Sequence, residues 1–581
     1  MKRNNGVKTF SQYQSRIYNQ PIFDHLGLDK GLFFLAALSR PRGRHRSSQA
    51  ARTLQGVTVK HRTTTAITLI AVSALAALAG CGGSSGSSSG TAAAASGAAV
   101  RGGDLVIART ADSQSMNNTT VFDNESIWIF EQIFQTLYTV TPNGKGVQPM
   151  LATSYKVSAD KKTYTFTLRP GVKFSTGQPR TSADVKFSID QASAAAKGWG
   201  YINTAIKSVA APTPSTVVVT LKYPWAPLLA DLSLFSNGIV PANYGGKSET
   251  AFYNAPVGTG PFKWDFWHKG SALKLVRNPN YWEKGKPYLN SVTWTDVPSD
   301  NTRQLQLKGG QAQIDEFPAW STVGSLKTTP DVTMNLFNST RTDYLAFNEL
   351  RKPFQDVHVR RAISLAVNRA ALVKAVLFGN GKPANSLFPP QVPYYQAATP
   401  GLQYNLAQAK QEMAKSSVPH GFSTTILVSS GFSDYVTIAT ILQSELKPLG
   451  INLKIQQLDP NTANTNQQSL KYDMTLTYWT MDIPDPDELA TFGVDPKSGA
   501  RSFFTAYNNP TVVKATHDAE QTLSTAARQD LYNTVQSGSA NDAFMAFLYN
   551  SPYAYATSSS VHGFYVTPLG NYHMENVWMS K

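Results

Sequence analysis

The chain has 581 residues, 41% hydrophobic and 15% charged, with one cysteine, Cys81, and a formal net charge of +16. A lone cysteine excludes an intramolecular disulfide, so a body of this size must rest on large apolar cores divided among lobes. The basicity suggests a polyanion partner, but residues 1–80 hold 12 Lys/Arg against 2 Asp/Glu while the remainder holds 41 against 35, a mild +6 that argues against nucleic acid.

An apolar run at 66–79 follows Lys60 and Arg62 and leads into Leu78-Ala79-Gly80-Cys81. A basic region, a short apolar run and small residues at a cut are the parts of an export signal. The run is shorter than the roughly 20 residues that a membrane-spanning helix requires. With cysteine at the cut, the arrangement resembles a bacterial lipoprotein signal. That implies cleavage before Cys81, lipid on its thiol, and an extracytoplasmic chain anchored to the cell membrane. A signal anchor, or a secretory signal with a chance cysteine, is the alternative. The basic cluster at Arg40, Arg42, Arg44 and Arg46 lies far upstream and reads as an overlong extension, with Val57 or Val59 as the start. Residues 81–103 are nearly all Gly, Ser, Ala and Thr, which cannot bury enough apolar surface to order themselves, and read as a flexible tether.

The folded body begins at Asp104, and its elements read as mixed α/β. Residues 162–168 alternate Thr163, Thr165 and Thr167 with Tyr164, Phe166 and Leu168, which predicts a half-buried strand. Residues 216–221 and 291–297 predict two more. Asp356 can cap a helix presenting Val359, Ala362, Ile363 and Ala366 on one face, and Asn368 can cap the next, which stops near Gly379. A strand at 423–428 precedes a helix presenting Ile438, Ile441, Leu442 and Leu449 and ended by Gly450. A strand at 451–455 follows, so this unit predicts a parallel pair with a right-handed crossover.

Enzyme chemistry is hard to find. The six histidines after Cys81 (His268, His358, His420, His517, His562 and His573) show no metal-ligand spacing, HExxH does not occur, and GxSxG occurs only within the Gly/Ser tether at 82–90, not in the body from Asp104 on. Gly258-Thr259-Gly260 runs into Pro261, which supplies no N–H to a phosphate, and reads as a rigid turn. The sequence predicts no enzyme, no metal site and no cofactor.

A series of phrases is more informative. Gly103-Asp104-Leu105 is followed by FQTLY at 134–138, TYTFTLRPGVKFSTGQP at 163–179, ADVKF at 183–187, PVGTGPFKW at 256–264 and RNPNYW at 277–282. Then come NTR at 301–303, AQID at 312–315, YLAFNELRKPFQDVHVRRAISLAVNR at 344–369 and WTMDIPDPDEL at 479–489. In this order they resemble family 5 of the solute-binding proteins, the extracellular receptors of peptide-type ABC importers. The resemblance implies an α/β, two-lobed, periplasmic-binding-protein-like (type II) fold with an additional β-rich subdomain. It places the first lobe at about 104–125, 251–345 and 553–581, the subdomain at 126–250, and the second lobe at 346–552.

The same resemblance implies capture of di- or oligopeptides between the lobes and delivery to permease subunits served by a cytoplasmic ATPase, the receptor acting as a monomer. The chain has no Walker motif and is not that ATPase. Asp482 is expected opposite the peptide's α-ammonium, since a desolvated ammonium needs a compensating carboxylate. Trp479 is expected to wall the cleft, and Tyr549, in a late strand, is either a cleft aromatic or core. Glu125 and Asp123 are the alternative amine acceptors. The chain departs from some oligopeptide receptors in carrying Leu476-Thr477-Tyr478 where they have an arginine before the tryptophan. An oligosaccharide, opine or metal-chelate receptor of the same fold, or a surface interaction protein, is the runner-up.

Overall fold

In this computed structural model the described residues are 98–580 apart from 197, 399–400, 431–432 and 498–500. Cys81, the signal region and most of the tether lie outside them. The strand Asp104–Arg109 is the centre of a seven-stranded mixed sheet, with Leu105, Ile107 and Ala108 fully buried. It pairs in parallel with Ser291–Asp296 on one side and Ile314–Glu316 on the other. Ala272–Arg277 and Phe262–His268 extend the first side, and Tyr553–Ser558 and Val332–Phe337 the second. Burial on both faces is what a central parallel strand requires, and it explains the continuous apolar run here.

A six-stranded sheet is built from the later chain, in the order Lys382–Pro383, Met545–Asn550, Thr342–Phe347, Met474–Trp479, Ser423–Ser429, Asn452–Leu458. All six residues of Thr342–Phe347 are buried. Leu345 and Phe347 face one core together with Val359 and Ile363 of the helix Val357–Ala366. Tyr344 and Ala346 face another with Phe388 and Phe503. Asp356 caps that helix through His358 N, and Asn368 caps Arg369–Val376 through Ala371 N, as their residue types predict.

The expected strand–helix–strand unit is present, Ser423–Ser429 pairing in parallel with Asn452–Leu458. Leu449 differs from the expectation. The helix Ser433–Leu446 ends ahead of Pro448, and Leu449 lies in a separate single turn, Lys447–Leu449, closed by Gly450 at φ 75°. Proline removes an N–H and crowds the preceding turn, so the apolar face carries on while the helix does not.

A third sheet is antiparallel and four-stranded, Ala152–Val157, Thr163–Leu168, Thr216–Leu221 and Ile206–Thr213. Tyr164, Phe166 and Leu168 point into a core with Val217, Val219 and the helix residues Val185 and Ile189, while the alternating threonines stay at its margin.

Two short connections carry the chain between the large sheets, at 338–341 and at 551–552. Ser339 Oγ donates to Ser551 O at 2.5 Å, and Asn550 Nδ2 donates to Arg341 O at 3.0 Å and Thr342 Oγ1 at 2.7 Å. The crossings are therefore tied side by side, the arrangement that lets two packed bodies rotate about a narrow axis.

Candidate functional site

The strand Met474–Trp479 leaves the second sheet at this junction, and the helix Asp487–Val494 follows seven residues later. Glu488, in the first turn of that helix, reaches back over the intervening loop. Its Oε2 accepts from Asp482 N at 2.8 Å and Ile483 N at 3.3 Å, and its Oε1 accepts from Trp479 Nε1 at 3.2 Å. Met481 and Ile483 are fully buried on opposite sides, Ile483 in the core of the first sheet and Met481 in a core of the second. The loop is thus pinned at every residue around Asp482. Asp482 itself turns into a cavity of about 30 Å³.

The opposite wall comes from a segment expected to lie mostly in the subdomain at 126–250. Its helix packs its apolar face into the core of the first sheet, and so goes with the first lobe. Asp123 caps the helix Asn124–Phe130 by accepting from Ser126 N at 2.9 Å. Ile127, Trp128, Ile129 and Phe130 bury that helix against the first sheet, and Glu131 follows as its C-terminal cap. Gln132 Nε2 donates to Tyr572 O at 2.8 Å and Gln132 Oε1 accepts from Met574 N at 3.0 Å, which holds His573 beside Glu131. Glu131, Phe130, Phe134, Asn571 and His573 line the cavity with Asp482.

Its electrostatics are acidic. Burial pushes the Asp482 carboxyl up, Glu131 pushes it further, and a hydrogen bond with Glu488 draws it part of the way back. Glu488 is also pushed up, by burial first and then by Asp482. The two carboxyls act on one another, so their titration belongs to the pair. Burial pushes Glu131 up to about 7, against His573 and a hydrogen bond from Asn571 that favour its charge. Its Oε1 accepts from Asn571, while Oε2 is buried and has no partner. Carboxyls held out of water in this way suit a ligand cation that replaces their protons.

The other expected residues are placed as follows. Trp479 is half-buried, packed on Phe503 at 4.8 Å and Phe492 at 5.5 Å between ring centroids, and is not part of the cavity lining. Tyr549 is 1% exposed in the core of the second lobe, its hydroxyl without a hydrogen-bond partner. Glu125 lies beside Arg109, whose Nη1 donates to its backbone oxygen at 2.9 Å, and burial raises its carboxyl. Asp485 and Asp487, which continue the acidic phrase, are buried anchors. Asp485 accepts both arms of Arg528 at 2.8 Å.

Sequence reasoning did not single out Glu488, Glu131, His573 or Arg341. Arg341 stands at the crossing, bidentate to the fully buried Asp343 at 2.8 and 2.9 Å, with its guanidinium 3.9 Å above the ring of Tyr478. Tyr435 donates to the same aspartate at 3.1 Å. Glu488 had a signal, being with Asp487 one of two carboxylates of the phrase in the first turn of the following helix. Glu131 and His573 had none, since 442 residues separate them.

Two lobes tied by a double crossing, with an acidic cavity at their junction, are the architecture of a two-lobed solute-binding protein. The family model for bacterial extracellular solute-binding proteins, family 5 (its middle region), matches residues 146–499, and the chain belongs to that family. It is 30% identical over 486 residues to the probable D,D-dipeptide-binding periplasmic protein DdpA of Escherichia coli, covering 81% of this chain and 93% of that protein. It is 29% identical over 488 residues to the glutathione-binding protein GsiB of the same organism, covering 81% and 94%. Among solved structures it resembles the ABC transporter-associated periplasmic binding protein DppA of Helicobacter pylori in complex with the peptide STSA. That likeness has a TM-score of 0.74 and 27% identity, over 83% of this chain and all but 1% of that one, with 99% covered.

Proposed function

We propose that this protein captures short peptides by their α-ammonium group and delivers them to the permease of an ABC importer, without catalysing a reaction. The observation that carries the reading is the acidic cavity at the lobe junction, where Asp482 is held by Glu488 and faces Glu131. An ammonium entering it exchanges its hydration for carboxylates already held out of water, which is the arrangement that makes a buried cation tolerable. Membership of a family of extracytoplasmic receptors, and relatives named for glutathione and D,D-dipeptides, support a peptide-type ligand. The apolar run ending at Cys81 supports an anchor in the cell membrane through lipid on that thiol. No helix among the described residues is long and apolar enough to cross a membrane.

The test is ligand class. The mature chain, melted in the presence of a dipeptide and tripeptide library and of an oligosaccharide set, should rise with peptides alone. A ligand at one hundred times its Kd stabilises by about 2.7 kcal/mol, which a melting curve resolves. A rise with oligosaccharides and none with peptides would replace this reading by the sugar-receptor alternative.

A further inference from the structure

Asp482 belongs to the second lobe and Glu131 packs with the first, yet the two carboxyls line one cavity of about 30 Å³ and are close enough for Glu131 to raise Asp482. That volume holds one water-sized group, and an ammonium is such a group. Glu131 sits at the C-terminal end of its helix, where the backbone dipole already disfavours negative charge. Its Oε2 is buried and unpartnered, although the same side chain accepts from Asn571 through Oε1. No structural role in the first lobe accounts for this atom. Among the described residues lining the cavity, the basic group beside it is His573, from the C-terminal segment, and the other carboxylate is Asp482, from the second lobe, itself braced by Glu488.

We propose that a primary ammonium of the ligand bridges Glu131 and Asp482, so that the ligand's charge is what allows the two lobes to close. This rests on the assignment of the amine to Asp482 and goes beyond it. The binding site becomes a two-carboxylate clamp, one jaw on each lobe, and Glu131 becomes the residue that couples recognition to closure. Without a cation, the negative charge that the two raised carboxyls do carry at neutral pH repels and works against closure. With one, they ionise fully, their remaining protons leave to solvent, and the charges draw the lobes together. A ligand lacking a cationic nitrogen closes the cleft poorly however well the rest of it fits.

The experiment compares trialanine with N-acetyl-trialanine on wild type, Glu131→Gln and Asp482→Asn at neutral pH, with small-angle scattering of each protein with and without ligand. Wild type should prefer the free amine, and Glu131→Gln should lose about tenfold or more of that preference while its ligand-free form becomes more compact. Loss of the preference in Asp482→Asn, with Glu131→Gln unchanged in both readouts, would overturn the clamp and leave the Asp482 assignment standing. Preference unchanged in both variants would overturn the Asp482 assignment itself. Glu131→Asp is the second route, since it keeps the charge and draws it back by one methylene. The free-amine preference should fall in it as well, and an unchanged preference there would count against Glu131 as a contact even if Glu131→Gln proved unstable.

Discussion

Replacing Glu488 by Gln isolates the brace that holds Asp482 in place. Glu488 is 4% exposed and satisfies three N–H donors with two oxygens. A glutamine has one acceptor oxygen, which can serve either the backbone amides of Asp482 and Ile483 or the indole of Trp479. The amide nitrogen then faces a donor. A hydrogen bond to a charged group contributes about 1.5–3 kcal/mol, and a buried donor left unmade costs about 1–3 kcal/mol. The variant should therefore lose about 2–4 kcal/mol of stability, read by denaturant unfolding of the second lobe. Its effect on binding separates into two parts. The hydrogen bond with Glu488 favours ionised Asp482, so losing it raises the Asp482 carboxyl further and amine binding should fade at a higher pH than in wild type. At about pH 8, above the values of about 7 to which Asp482 and Glu131 are raised, the register of Asp482 is what differs, and affinity should fall about tenfold, or 1.4 kcal/mol. Unchanged stability together with unchanged affinity at high pH would refute the bracing role.

Other outcomes follow from the same geometry. Asp343→Asn strands Arg341, which is bidentate to it and half-sheltered on Tyr478, and should cost about 3–5 kcal/mol of stability with loss of cooperative unfolding. The pH dependence has a definite sign. Glu131 is raised from 4.5 to about 7, so the folded ligand-free protein binds this proton more tightly than the unfolded chain, and its contribution to stability falls as pH rises between those values. The thermal shift given by a free-amine peptide should accordingly grow from about pH 5 to about pH 8, and a shift that shrinks over this range would contradict the assignment. Cys81→Ser should release the protein from the membrane into the medium, and full membrane retention of that variant would rule out the lipid anchor.

The parts of this fold that depend on neighbours in the chain were legible in the sequence. Thr163–Leu168 alternates because one face of its sheet meets a helix, and Asp356 and Asn368 cap because short side-chain oxygens reach the next turn. The parallel pair around Ser433–Leu446 follows from the short turns that flank it. Pro448 should have divided Leu449 from that helix, since the apolar face alone cannot say where hydrogen bonding stops. Asp482 carried a signal because its whole phrase is contiguous. Glu131 and His573 meet it only through the pairing of segments hundreds of residues apart, and neither has a local pattern to mark it. Arg341 ends the connection and Asp343 lies in the strand Thr342–Phe347 two residues on, but only the crossing of the chain between lobes makes their meeting place a buried one.

The central claim is that Asp482 holds the ligand's ammonium, and the most direct measurement is calorimetric affinity for a peptide and its N-acetylated form on wild type and on Asp482→Asn. The substitution keeps the shape of the side chain and removes its charge, and leaving the ammonium without this partner should cost about 2–5 kcal/mol for the free amine. The acetylated peptide, which brings no cation, should bind both proteins alike. Wild type should therefore discriminate strongly and Asp482→Asn weakly; equal discrimination by the two proteins would place the amine elsewhere, with Glu125 and Asp123 next to be tested.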